Sequence, residues 1–339
     1  ENGFALLFGA YYFNDHAFYK KAKTILRPEL QEQVLGDGGH FERSPMYHCI
    51  MLYRVLDCYN LVRNNALFGK ELEDTLKEKA GGMLGWLEEV VYSDGRIPLL
   101  NDAAVGIAPT AKELIEYGQR LGIFCSKKVR LKKSGYRKFR WGKFELFIDV
   151  GEVGPDYQPG HAHADTFSFE LYINGRPVIV DTGTSTYEVN NTRFYERSTA
   201  AHNTVVVFGQ NSSQVWAGHR VARRARIQVL CDEEKRIVAV HDGYKRLGCL
   251  HTRKMEKMEE HIRIVDEIDC EGTAYLHFMP KENIVFDGNR LIGSDYCIEF
   301  DGAREIEPFT SMYAPEFNKR EERLSFRISF ARKLETIIQ

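Results

Sequence analysis

The feature that most constrains this chain is a change of hydrophobic period part-way along it. Up to about residue 121, apolar residues recur at helical spacing, as in Phe4, Leu7, Phe8, Tyr11 and Tyr12, and again in Ile50, Met51, Val55, Leu56 and Tyr59. From about Tyr136 they fall into short alternating or β-branched runs such as 144–148, 177–180 and 204–208. The first period lines one stripe of a helix and the second one face of a strand, so the two halves cannot share one kind of element. The fold class is therefore α+β, with helices over 2–13, 15–34, 44–64, 70–93 and 109–121 and an antiparallel β-sandwich behind them. Turn chemistry at Gly36-Asp37-Gly38-Gly39 and from Asp102 to Pro109 separates the helices. Asn174-Gly175 between two apolar runs predicts a tight hairpin, because both residues tolerate positive φ. Alternation at 227–230, 237–240, 262–268, 274–278 and 324–330 predicts one large β-domain. Five helices suit a piece of a bundle or toroid and are too few to close a ring. The expected divisions are 1–121 for the helical part, a Lys/Arg-rich linker over 122–135, and 136–339 for the sandwich.

Composition narrows the ligand. With 46 Lys+Arg against 48 Asp+Glu the net charge is -2, which excludes the global basic surface of a nucleic-acid binder. An anionic ligand has to be met locally. Seven cysteines are scattered without a CxxC pair, so neither a disulfide framework nor a cysteine zinc site is implied. No run approaches the roughly 18–20 apolar residues of a membrane span. The chain opens on Glu1-Asn2-Gly3-Phe4, without Met, directly into helical sequence, and is read as a fragment whose export signal, if any, lies upstream.

Chemically capable residues are densest in Gly160-His161-Ala162-His163-Ala164-Asp165, then Asp181-Thr182-Gly183-Thr184, then Ala201-His202-Asn203-Thr204. On a strand, His161 and His163 share a face, and a carboxylate and third histidine from neighbouring strands complete a tetrahedral site that suits zinc. Taken singly, such residues are more often hydrogen-bonded parts of a core or turn. Their clustering behind a Gly-containing loop points to a site.

The string GHAHADTFSFELYINGRPVIVDTGTSTY (160–187), with RSTAAHNTVVV (197–207) downstream, resembles the β-sandwich of the heparinase II/III lyases, and GDGGHFERSPMYH (36–48) is similar to their loop and helix carrying a catalytic tyrosine. The resemblance implies an (α/α) toroid followed by an antiparallel β-sandwich, acting on an acidic polysaccharide. It also implies Tyr47 and His161 as catalytic residues, and His163, Asp181 and His202 as ligands of a structural zinc found in some members. Family enzymes carry an Asn or His upstream that helps neutralise the substrate carboxylate. Glu1 resembles the position just after it, so the fragment alone is expected to be poorly active. The family's habit places the protein in the periplasm or cell envelope of a bacterium, with the cytoplasm as alternative.

Elimination across C4–C5 of a uronic acid removes a weakly acidic C5 proton and protonates the departing O4, while neutralising the C6 carboxylate stabilises the enolate-like transition state. A tyrosine serves as acid, and as base if nearby positive charge lowers its pKa from about 10; Arg43 and Arg197 are the candidates. Tyr47 is assigned as general acid and possible same-face base, with His161 as opposing base or carboxylate neutraliser. An isolated tyrosine there would be read as packing on Met51 at i+4; its place beside Glu42 and Arg43 after a Gly-rich loop favours a site. Glu42, Arg43, His48, Tyr187 and Arg197 are expected around the substrate, with His40 a further subsite candidate and Trp216 and His219 extending the glycan platform. The basic run Arg220, Arg223, Arg224 and Arg226 is a solvated face or a lure for an anionic chain. Two rivals stand. One is a cupin-like metal enzyme using the His-X-His pair and Glu170, though the spacing disagrees; the other is a non-catalytic carbohydrate-binding sandwich.

Overall fold

The computed structural model describes residues 1–125 and 129–339, so the centre of the expected linker, 126–128, lies outside the described residues. Five helices come first: α1 (Asn2–Phe13), α2 (His16–Gln33), α3 (Pro45–Asn64), α4 (Glu73–Val90) and α5 (Ala111–Arg120). Their ends follow local chemistry. Asp15 caps α2 by accepting the amides of Ala17 and Phe18 at 2.7 and 3.0 Å, so that helix starts one residue later than its periodicity suggests. Ser44 caps α3, with Pro45 in the first turn where its missing N–H costs nothing. Thr110 and Glu113 close a capping box on α5.

Two antiparallel sheets follow. The smaller is ordered β1 (Tyr136–Trp141), β2 (Phe144–Asp149), β3 (Phe169–Ile173), β4 (Arg176–Ile179). Its β3–β4 turn holds Asn174 and Gly175 at φ 51 and 74, the tight hairpin expected there. A short helix α6 (Asn191–Glu196), β5 (Val205–Val207) and a small hairpin of β6 (Val215–Trp216) and β7 (Arg220–Val221) lead to β8 (Ile227–Asp232), β9 (Arg236–His241), β10 (His251–Lys257), β11 (Ile262–His277), β12 (Val285–Asp287), β13 (Arg290–Ile292), β14 (Cys297–Tyr313) and β15 (Glu321–Ile338). The larger sheet runs β12-β13-β14-β15-β11-β10-β9-β8, with β5 added beside β11. The runs expected separately at 262–268 and 274–278 are one strand, β11, interrupted by a register shift between Glu267 and Glu271. Cys249 and Cys270 are joined in a disulfide with Cα atoms 6.2 Å apart, a pairing that the scattered cysteines had not suggested.

The smaller sheet is buried on both faces, and this sets the architecture. Along β2, Phe147 packs into the helical core while Phe144, Leu146 and Ile148 pack against the larger sheet; along β3, Tyr172 faces the helices and Phe169, Leu171 and Ile173 the opposite way. Period-2 alternation thus joins helices, small sheet and large sheet in three layers.

The turn at 36–39 is seated on this frame by contact too close for a side chain. Gly38 has φ +88, and a Cβ there would lie 2.0 Å from the carbonyl oxygen of Gly82 in α4. Asp37 beside it accepts the amides of Ser134 and Lys133 at 2.7 and 2.9 Å. Gly38→Ala should therefore lose about 3 kcal/mol of stability by strain and overpacking. Gly69→Ala, also at positive φ but in open space, should lose about 1 kcal/mol; equal losses by denaturant unfolding would contradict the close-approach account.

Candidate active site

Four stretches of chain meet where the helical layer touches the sheets: residues 40–47, 99–104, 160–167 and 184–219. Ser44 joins two of them, its Oγ accepting the Tyr47 amide at 3.2 Å and donating to the carbonyl of Asp102 at 2.5 Å. Asp102 in turn donates its amide to the carbonyl of His161 at 3.0 Å. Tyr47 thus sits in the first turn of α3 directly beside His161. Their rings are stacked, with centroids 3.9 Å apart and planes at 14°. The Tyr47 hydroxyl is 3.2 Å from that of Tyr187, whose ring packs against His219 and Phe317.

Glu42 fixes the imidazole. Its Oε2 lies 2.8 Å from Nδ1 of His161. Burial pushes the Glu42 carboxyl up, but the hydrogen bond from His161 and the nearby His40 hold it below the ordinary range, so it is anionic and Nδ1 must donate. Nε2 is then the nitrogen left for other chemistry. Burial pushes the Tyr47 phenol up, and the hydrogen bond with Tyr187 opposes this only in part, so the phenol keeps its proton near neutral pH. An acid with a transferable proton and an oriented imidazole therefore share one half-open wall.

Sequence and fold comparisons agree on what this arrangement belongs to. Residues 126–337 match the family described as heparinase II/III-like, C-terminal, and residues 13–129 the heparinase II/III N-terminus. The chain belongs to the heparinase II/III family. It is 27% identical over 316 residues to a heparin-sulfate lyase of Bacteroides stercoris, covering 81% of this chain and 44% of that protein. It is also 26% identical over 303 residues to FtsZ-localized protein C of Caulobacter vibrioides, covering 81% and 50%. A crystal structure of heparinase III superimposes with TM-score 0.78 at 20% identity, covering 99% of this chain and 60% of that one. The shared fold is a helical toroid followed by an antiparallel β-sandwich, of which this chain carries five toroid helices among its described residues. The chain spans less than half the length of the curated heparin-sulfate lyases it matches.

Within this heparinase II/III chain, several expected residues stand elsewhere. His161 and His163 lie on an irregular segment before β3, not on a strand, and diverge. His48 is buried, its Nε2 on the carbonyl of Met83 at 3.0 Å and its ring against Trp86, because the helical turn after Tyr47 faces the core. Arg43 is turned away from the cleft to the carbonyls of Glu152 and Gly154. Arg197 is buried and donates to the carbonyls of Ala162, Trp216, Ala217 and Arg220, bracing the loops on which they lie. The cation that opposes the rise of the Tyr47 pKa most is Arg193. His40 is buried beside Glu42, and burial pushes its pKa down to about 4. Glu170 is buried on the amides of Leu99 and Asp181 and the hydroxyl of Tyr92, away from the His161–His163 segment. With open sheets in place of a barrel, the cupin-like reading falls.

Sequence reasoning missed Asp102 and Arg193. Asp102 accepts Nε2 of His163 at 2.8 Å and both arms of the Arg193 guanidinium, one of them at 2.7 Å, all fully buried. Its only sequence signal was membership of a turn; Arg193 had none. Burial pushes the Asp102 carboxyl up, but His163 and Arg193 hold it well below the ordinary range. Burial also pushes His163 down to about 4, so the compensating positive charge is that of Arg193.

Oxygen of Asp102 and ring nitrogens of His161 and His219 lie within 4.8 Å of one another, a grouping able to hold a metal ion. Asp102 is already saturated by Arg193, which weakens it as a ligand. Of the expected zinc residues, His202 Nδ1 bonds Asp181 Oδ2 at 2.7 Å, and the His163 and His202 rings are 5.3 Å apart.

Asp102→Asn should cost about 3–5 kcal/mol by leaving Arg193 charged and unpaired, and pairing it with Arg193→Met should recover much of the loss. Because the Asp102 pKa is depressed, its contribution is present above the ordinary value of 3.8 and lost only in stronger acid. Unfolding of both variants at pH 7 would show this; a double variant no better than the single would contradict it.

Proposed function

We propose that the protein is a polysaccharide lyase that cleaves uronic-acid-containing glycans by β-elimination. The observation that carries the reading is the Tyr47–His161 stack, with the protonated phenol hydrogen-bonded to Tyr187 and the imidazole set by Glu42. The heparin-sulfate lyases among its relatives support the same class. A ring separation of 3.9 Å leaves no room for a sugar between the two side chains, so both act from one side of it. That arrangement favours Tyr47 as the acid that protonates O4. Once its own proton has passed to another base, the Tyr47 anion is also suited to take the C5 proton and return it to O4 from the same face. A protonated His161 Nε2 donates to the C6 carboxylate and an unprotonated one assists as base at the same face, in place of a base on the opposite one. Tyr187 holds the phenol in line, and Glu42 holds the imidazole.

The donor chemistry behind this wall suits a metal, although the grouping whose ligand atoms lie within 4.8 Å of one another among the described residues is Asp102, His161 and His219. His163 Nδ1, His202 Nε2 and one oxygen of Asp165 are buried without a hydrogen-bond partner. In each histidine the other nitrogen donates to a carboxylate, Asp102 or Asp181, which leaves a lone pair on the orphaned one, as in metal-bound histidines. His163 and His202, with a carboxylate from Asp181 or Asp165, would hold zinc in a structural role. The disulfide Cys249–Cys270 supports an oxidising compartment such as the periplasm. No helix among the described residues is long and apolar enough to cross a membrane.

On a panel of uronate polysaccharides, formation of a C4–C5 double bond is read by its ultraviolet absorbance. Tyr47→Phe should lower the rate by at least about 10²-fold with the thermal midpoint unchanged; ordinary turnover by that variant would sink the assignment. For the metal, His163→Ala should lower the midpoint more in zinc-replete than in chelator-treated protein, and an equal drop in both counts against zinc.

A further inference from the structure

The β6–β7 hairpin connects the cleft to a second, strongly basic cavity. His219, between its strands, packs against Tyr187 and His161. Four residues on, the chain enters a cavity of about 580 Å³ lined by Arg223, Arg224, Arg226, Lys245 and Arg246. Four residues span at most roughly 14 Å, so the cavity opens within a few sugar rings of the stacked pair. The 152–160 loop is tied to both neighbourhoods: Arg43, four residues before Tyr47, donates to the carbonyls of Glu152 and Gly154, and Arg224 of the cavity donates to those of Pro155 and Asp156.

The charges in this cavity are not balanced internally. Two carboxylates line it, Asp156 and Asp242, and that of Glu152 lies 3.5 Å from Arg226, against five cations. Asp156 lies 3.3 Å from Arg226 and 3.5 Å from Arg224, while Asp242 accepts the backbone amide of Arg226 at 2.7 Å. Among the described residues, Arg246 reaches only the neutral side-chain amide of Gln210. Among the described residues, no ion pair or hydrogen bond engages the side chains of Arg223 and Lys245. Both are exposed. Converging cations of this kind, with arginine forks among them, suit a sulfate or carboxylate better than open water, because each additional cation in a concave site raises the local potential.

We propose that this cavity is a remote subsite for an anionic substituent, sulfate or carboxylate, of the same polysaccharide chain whose bond is broken in the cleft. The proposal rests on the lyase reading for its ligand but not for its test. Binding of a size-defined heparin oligosaccharide, and of its chemically desulfated counterpart, is measured by calorimetry in a full chain carrying Tyr47→Phe so that no turnover intervenes. Arg223→Glu with Lys245→Glu should weaken binding by at least about tenfold, and the weakening should shrink at high salt. A control pair of exposed lysines, Lys235→Glu with Lys281→Glu, makes the same change in net charge and should leave binding within about twofold. Loss with the sulfated chain alone assigns the cavity to sulfate; loss with both chains assigns it to carboxylate. Unaltered affinity in the cavity variant, or an equal loss in the control, overturns the proposal. A failed lyase reading shows separately, as absence of unsaturated product from the parent protein.

Discussion

A single buried carboxylate holds the site together. Asp102 binds the Arg193 guanidinium through two arms and His163 through a third contact, while its backbone engages Ser44 and His161. Those four partners belong to three different parts of the wall: the first turn of α3, the irregular segment before β3, and the short helix α6. Taking such charges out of water is costly by several kcal/mol per ion, and only close, saturated pairing offsets it. The arrangement therefore has little freedom to relax, which suits residues that must hold two aromatic rings at stacking distance.

The same carboxylate–imidazole device appears three times in this neighbourhood with different outcomes. Glu42 sets His161, Asp102 sets His163, and Asp181 sets His202. In each, the anion accepts a hydrogen bond from one ring nitrogen and leaves the other for a different partner. Burial separates their uses. His161 is partly open to the cleft, where its free nitrogen can meet a substrate, whereas His163 and His202 are closed off with theirs unpartnered, the condition under which a metal ion stabilises a fold.

The three-layer frame explains why the shared fold is compatible with low identity. Heparinase III retains it at 20% identity, and FtsZ-localized protein C matches at the level of sequence under a name that points elsewhere. What the frame demands is alternation along β2 and β3 so that both faces of the small sheet are buried. What function demands is a handful of side chains at the edge of that sheet. Conservation of the first therefore does not carry the second, and the reading offered for this chain stands on the stacked pair and its partners.

Much local information was legible in the sequence. The helical period placed the five helices to within a few residues and the strand period found about half of the strands, and Asn174-Gly175 announced its hairpin; β10, β14 and α6 were missed, and 324–330 is only the middle of β15. Tyr47, His161, Glu42 and Tyr187 were recognisable as members of one cluster from the motifs in which they sit. Orientation was not legible. His48 lies one residue beyond Tyr47, and the rotation of α3 turns it into the core; Arg43 and Arg197 are drawn to backbone carbonyls. Asp102 and Arg193, 91 residues apart, have no local pattern to betray their pairing. Periodicity thus decided what the chain builds, while the choice of partner for each buried polar group was left to the tertiary structure, because such groups are satisfied by whatever the fold brings within hydrogen-bond reach.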